Sequence, residues 1–491
     1  MIFATAVPYG KKPLTLFFFQ ALKKSDCVKH FQGCAGQKRG KEMSGLKMKK
    51  ETHSTGYHLL RSDTVLADEL EEPPESTQEE ESAEDKAAAT DQSPLWKAVV
   101  NLISDIEGTG LLALPYVIAQ SGIVAIAAMA AVPFIACYTG AILIDCLYEE
   151  NDAGERVRVR SNYKQLGEAC SPRFGGTIVS TIQLVELFLL ASLYLVLFAS
   201  LSRGIFPDLP LSDKVWMLIA AALGLPTLFV KNLSQVAWMS LLSVIALMVA
   251  VVAVLAYGIA HEYSWAPREI LVWNIDKVPV SFAIIIFSYI CHPVLPGVEA
   301  SMENKSKYRS MLALSYFFVA IVKVFFSVCA FLSFSSNIQD VIVNSLPVGV
   351  IRSLVNAFLL LNAIFSYPFC VITIIQTIEE SVSPDSFLCK IPDLVWFIGI
   401  RVSTNFLTLL PAILIPHFAL FMAFISSLSG SAVAFILPAF FHLVIKQQEL
   451  KLYHYIFDIS VLIFGFLAAA LGLVYSGKSL FEGLFHHHSI K

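Results

Sequence analysis

Within long apolar stretches the chain places a few side chains able to hold or pass a proton. Glu107 lies in SDIEGTGLLALP (residues 104–115), with Asp105 two positions earlier. Glu186 lies in QLVELF (183–188), and His292 and Glu299 lie in FSYICHPVLPGVEASM (287–302). Ionisable groups inside a hydrocarbon layer are costly and default to a functional role. A sheltered carboxyl can exchange protons in the physiological range, so Glu107 and Glu186 are expected to carry a proton. His292 is expected to touch a ligand, since an imidazole can donate, accept or titrate. Asp105 is expected to line the same path or to pair with Lys323. No nucleophile–base pair, phosphate-binding loop or His/Cys metal spacing occurs, and no cofactor is expected. Enzyme chemistry is therefore excluded.

The elements that must position these groups are membrane helices. Of 491 residues, 56% are hydrophobic and only 15% charged, against roughly a quarter charged in soluble domains. Apolar runs long enough to span a bilayer recur from Trp96 onward. They predict an all-α polytopic membrane protein with eleven transmembrane helices. The helices are placed near 96–120, 122–147, 178–203, 213–230, 236–260, 280–300, 311–334, 349–379, 395–415, 417–445 and 453–477.

Two of them are interrupted. Gly108, Thr109, Gly110 and Pro115 break the first, about 18 Å along its length from Trp96 at 1.5 Å per residue. Pro293, Pro296 and Gly297 break the sixth at a similar depth. Unwound backbone at that depth survives only where protein or a cavity surrounds it. The first and sixth helices cross in opposite directions. Matching interruptions in two antiparallel five-helix halves form the pattern of an inverted-repeat secondary transporter, with its site at the interruptions. Free N–H groups at Gly108, Thr109 and Gly110 would receive an anionic group such as a carboxylate. Carbonyls of both unwound segments, with Ser288, would receive an amino group. Tyr194 and Tyr289 would shape the pocket. Asn362 and Ser366, at mid-depth in the eighth helix, are candidate ion or gating residues.

Most loop lysines and arginines fall on one side, including Arg156, Arg158, Arg160, Lys164, Arg173, Lys305, Lys307, Arg309, Lys446 and Lys451. That bias places the N-terminus in the cytosol and the C-terminus in a lumen or outside. Residues 1–93 form a tail, basic and then acidic (DELEEPPESTQEEESAED, 68–85), too polar to pay for its own ordering and expected to be disordered. Its YHLL (Tyr57 to Leu60) has the form of a signal for trafficking adaptors. Residues 94–480 form the membrane domain and 481–491 a short tail containing His486, His487 and His488. The net charge of -4 averages unlike parts, and no nucleic-acid partner is expected.

The stretches LPYVI (114–118), CYTGAILIDCLYEEN (137–151), RVRSNYKQLGEAC (158–170), QLVELF, LPTLFVKNLSQV (225–236), SYPF (366–369) and IPHFALFMAFISSLSGS (415–431) resemble the amino acid/auxin permease family. Within it they are most similar to the vesicular inhibitory amino acid transporters. The likeness covers roughly residues 95–480. It implies a leucine-transporter-like 5+5 inverted repeat with broken helices 1 and 6, and an added eleventh helix. It also implies proton-driven antiport of small amino acids, GABA or glycine, into a vesicle or lysosome; the partners expected are the amino acid and protons, with chloride or sodium as alternative ions. Glu186 falls where the vesicular branch is also acidic. Glu107-Gly108-Thr109-Gly110 and His292-Pro293 depart from the vesicular pattern, and Gly-Thr-Gly is more similar to proton-coupled amino acid transporters. The alternatives are a sodium-coupled or facilitative importer at the plasma membrane, and a non-transporting amino acid sensor.

Overall fold

The computed structural model describes residues 93–152, 154–228, 233–260, 274–381 and 392–486. The tail expected over 1–93, apart from Ser93, lies outside them, as do Tyr57 to Leu60, His487 and His488. Two compact units are distinguished. The larger holds Ser93–Thr377 and Gly399–Lys491. The smaller contains, among the described residues, the end of one helix after Thr377 and the start of the next before Gly399.

The larger unit begins with α1 (Leu95–Ile106), a 3-10 turn (Thr109–Ala113) and α2 (Leu114–Asp145). A hairpin follows, β1 (Tyr148–Glu150) and β2 (Arg156–Arg158), paired antiparallel with Glu149 opposite Val157. Next come α3 (Tyr163–Cys170), α4 (Gly175–Ile205), α5 (Asp213–Thr227) and α6 (Leu233–Ala260). The second interrupted region is α7 (Val278–Tyr289), a 3-10 turn (His292–Val294) and α8 (Leu295–Ala300). It leads into α9 (Tyr308–Phe334), α10 (Val350–Ser381) and α11 (Asp393–Leu414). Last are α12 (Phe418–Ile425), α13 (Leu437–Ile445) and α14 (Leu452–His486), with two π turns joining α12 to α13.

The described residues thus form a mostly helical polytopic membrane protein. Eight helical stretches among them are long and apolar enough to cross a membrane. Leu95–Ile106 has only 12 residues because the chain unwinds after it, and Asp213–Thr227 has 15. One stretch, Thr109–Asp145, joins two helices at Gly122 (φ 54°, ψ −133°). Glycine enters that left-handed region without the cost of a Cβ, which explains the helix boundary read near 120–122.

The core lies where α2 packs along α7 and α9, with α1 also against α9. Polar side chains bind these helices together. The Ser121 hydroxyl donates to that of Ser281 at 2.7 Å, joining α2 to α7. Tyr367, Thr408 and Asn405 share hydrogen bonds between α10 and α11. Asp458 of α14 is fully buried; it accepts from the Tyr138 hydroxyl of α2 at 2.5 Å and lies 2.6 Å from Nδ1 of His442 of α13. One carboxylate therefore ties three helices. Removing one partner of such a buried pair leaves the other polar groups without compensation, at about 3–5 kcal/mol. Asp458→Ala should lower the thermal unfolding midpoint of purified protein well below that of Asp276→Ala, a change at an exposed position. Equal midpoints would show that the three-helix tie carries no stability.

Candidate functional site

Both interruptions arise from residues that end one helix and start the next. At the first, Glu107 (φ −78°, ψ 67°) and Gly108 (φ −100°, ψ −164°) leave the helical region before the 3-10 turn begins. At the second, Ile290 (φ −73°, ψ 118°) and Cys291 (φ −141°, ψ 6°) do the same, and Pro293 and Pro296 then occupy first-turn positions where a missing N–H costs nothing.

The two interruptions meet. A Cβ built on Gly110 would lie 3.0 Å from Cα of Ser288 and 3.1 Å from its Cβ. Opening a helix leaves its last carbonyls without intrahelical donors. The carbonyls of Ile106 and Ser288 are two of these. Both accept from one ammonium, that of Lys323 on α9, which is fully buried. Its Nζ is 3.1 Å from the Ile106 oxygen and 4.6 Å from the centroid of the Tyr289 ring, a cation–π distance. Glu107 acts on the same ammonium electrostatically. Glu107 is only 9% exposed, and neither of its carboxyl oxygens has a hydrogen-bond partner among the described residues. A second cation about 4 Å from the Lys323 ammonium would be repelled by about 4 kcal/mol at an effective dielectric constant near 20. The two carbonyl ends are therefore already served.

The remaining residues fall into three groups. The first surrounds the second interruption. Ser288 Oγ turns back to the Ile285 carbonyl (2.8 Å), and the Tyr289 hydroxyl reaches the Met129 carbonyl of α2 (2.9 Å). Cys291 Sγ lies 3.1 Å from the Tyr316 hydroxyl of α9. His292, fully buried, shares a hydrogen bond of 2.9 Å with Thr139 of α2. At the first interruption the Gly108 N–H is engaged by the Ile106 carbonyl (2.9 Å). Thr109 and Gly110, opening the 3-10 turn, retain N–H groups that geometry leaves without intrahelical acceptors.

The second group joins α4 to α10. The half-buried Tyr194 shares a hydrogen bond with Ser366, which donates to Asn362 at 2.9 Å. Glu186 lies two helical turns before Tyr194, about 12 Å along α4. Its charge acts on Tyr163, whose hydroxyl donates to the Val433 carbonyl in the second π turn at 2.5 Å.

The third group is the hairpin. Arg158 donates to the Pro296 carbonyl (2.9 Å) and pairs with the fully buried Glu299 at 3.4 Å. Tyr148 also donates to Glu299. Burial, and then that hydrogen bond, push the Tyr148 phenol well above its usual range. Asp145 at the end of α2 accepts from Arg156, from Arg309 (2.8 Å) and from the Tyr308 hydroxyl (2.6 Å). The hairpin thus clamps α8 and the start of α9 to the end of α2.

Reading the sequence for sites missed the central place of Lys323, together with Thr139, Tyr316 and the hairpin clamp. The signal for Lys323 was present: one lysine inside YRSMLALSYFFVAIVKVFFSVCAFLSF. Nothing local marks Thr139 or Tyr316, whose partners are far away in the chain.

The family described as "Transmembrane amino acid transporter protein" matches residues 91–476. The chain is similar to the "Vesicular inhibitory amino acid transporter" of Xenopus tropicalis, at 35% identity over 400 residues, covering 79% of this chain and 77% of that protein. The Homo sapiens protein of the same description is 35% identical over 400 residues, covering 79% and 76%. A "Vesicular GABA transporter" of Caenorhabditis elegans is 28% identical over 437 residues, covering 86% and 87%. Among solved structures, a nucleobase-cation-symport-1 family transporter in a closed conformation aligns with a TM-score of 0.46 and 13% identity, over 79% of this chain and 91% of that one.

The close approach at Gly110 gives a test of the geometry. Gly108 has nothing within 4 Å of an added Cβ, whereas Gly110 faces Ser288 directly. Overpacking of this kind typically costs about 1–3 kcal/mol. Gly110→Val should lower the thermal midpoint of the purified protein markedly while Gly108→Ala leaves it nearly unchanged. The opposite order would mean that the two interruptions do not meet.

Proposed function

This chain belongs to the transmembrane amino acid transporter family, and from that premise we propose that it exchanges small neutral amino acids for protons across the membrane of a vesicle or lysosome. The observation that carries the reading is the meeting of the two interrupted helices beside a buried carboxyl with unengaged oxygens. In this reading eleven helices form two inverted five-helix halves and one added helix, with α1 and the 3-10 turn as the first interrupted helix and α7–α8 as the sixth. The N-terminus is cytosolic and the C-terminus luminal, as the lysine and arginine bias supports.

The substrate carboxylate meets the N–H groups of Thr109 and Gly110 near Gly108, where the start of a helix favours an anion. Ser288, Tyr289 and His292 form the wall from the second interruption, and Tyr194 with Ser366 and Asn362 the wall from α4 and α10. Glu107 carries the exchanged proton, and Glu186 stands as a second carrier along α4. The hairpin clamp on Glu299 and Asp145 closes the cytosolic side and must open for entry. The vesicular assignment follows the names of the relatives, which are described as vesicular inhibitory amino acid and GABA transporters.

The test is uptake of a radiolabelled panel including glycine, GABA and alanine into proteoliposomes. An acid interior should drive accumulation of at least one of them, and a sodium gradient should not. Glu107→Gln should abolish the response to the pH gradient, with Glu186→Gln as the comparison. Accumulation driven by sodium alone would defeat the proton reading, and substrate binding with no flux would make the protein a sensor.

A further inference from the structure

The free carbonyls of two opened helices are the usual place for a cation in interrupted-helix transporters. Here that place is taken by a side chain of the protein itself. Lys323 donates to Ile106 on one helix and to Ser288 on the other, and its charge is shared with the Tyr289 ring. An amino acid entering this region brings its own ammonium group. That group would meet like charge at the carbonyls, while Glu107 offers two buried oxygens that accept no hydrogen bond from the described residues. Among the described residues, the titratable groups that act on Glu107 include Lys323 from α9 and the Tyr289 phenol from α7, with Asp105 two residues earlier on its own helix. Lys323 is engaged by the two carbonyls, and the Tyr289 hydroxyl by Met129.

Resting on the transport reading above, we propose that Glu107 receives the ammonium group of the substrate, so that an amino acid and a proton compete for one carboxylate while Lys323 serves as the resident cation of the two helix ends. A protonated Glu107 is neutral and cannot pair with an ammonium group. When the substrate binds, the carboxylic acid gives up its proton, the carboxylate pairs with the ammonium group, and one proton leaves for each amino acid bound. The reverse exchange on the other side returns a proton to Glu107 as the substrate departs. Exchange then follows from mutual exclusion at a single group.

The experiment is equilibrium binding of radiolabelled glycine and GABA to the purified full-length protein in sodium-free medium, across a range of pH. In the acidic range the dissociation constant of the wild type should rise by about tenfold for each unit the pH falls, the slope for one competing proton. Glu107→Gln should bind more weakly and lose the slope. A second readout uses the wild type alone, so the proposal stands or falls even if the variant fails to fold. In weakly buffered acidic medium, adding glycine as its zwitterion should release protons, up to one per amino acid bound, and methanesulfonate, an anion that has no amino group and does not buffer there, should release none. Binding whose affinity ignores pH, or that releases no proton, overturns the proposal while leaving proton-driven flux through another carboxyl intact. Failure of the wild type to bind or move any amino acid overturns the transport reading instead.

Discussion

A backbone carbonyl removed from water must find a donor, and in a hydrocarbon layer the penalty for failing is several kcal/mol. The structure turns on how this chain meets that demand where two helices come undone. Ile106 ends one helix and Ser288 stands one residue before the end of another, and a single ammonium on a third helix serves both. Lys323 could not be buried so completely without these two acceptors, and the buried Ser288 carbonyl gains in Lys323 the donor that its opened helix withholds. Each makes the other tolerable.

The surroundings hold that arrangement in place. Tyr316, Thr139 and the carbonyl of Met129 fix the second interruption from two sides, through Cys291, His292 and Tyr289. The hairpin grips the far end of the same segment at Pro296 and Glu299. The α7–α8 segment is therefore anchored along its length by α2, α9 and the hairpin. Of the hairpin's ion pairs, Arg156–Asp145 is partly exposed, whereas Arg158 pairs with the fully buried Glu299, so the grip on α8 is the costlier of the two to release.

Much of this was legible in the residues, for identifiable reasons. Long apolar runs report helices because spanning length is a physical requirement. Gly108, Gly110, Pro293 and Pro296 report interruptions because each disfavours a regular helix at its position. Glu107 stood out because carboxyls are rare in such runs. What stayed hidden depends on long-range pairing. The sequence offered Asp105 as one partner for Lys323, and nothing local indicated that the ammonium would join carbonyls from α1 and α7. His292 read as a ligand contact, and the structure gives it Thr139, more than a hundred residues away in the chain. CLYEEN followed by RVR was visible only as a resemblance, because a three-residue strand pair leaves almost no pattern of its own.

The most direct measurement is an electron cryo-microscopy map of the full-length protein with a bound amino acid. The account requires ligand density between Glu107–Gly110 and Ser288–His292, with the Lys323 ammonium still on the carbonyls of Ile106 and Ser288. Ligand density elsewhere, or continuous helices through residues 107 and 290, would contradict it.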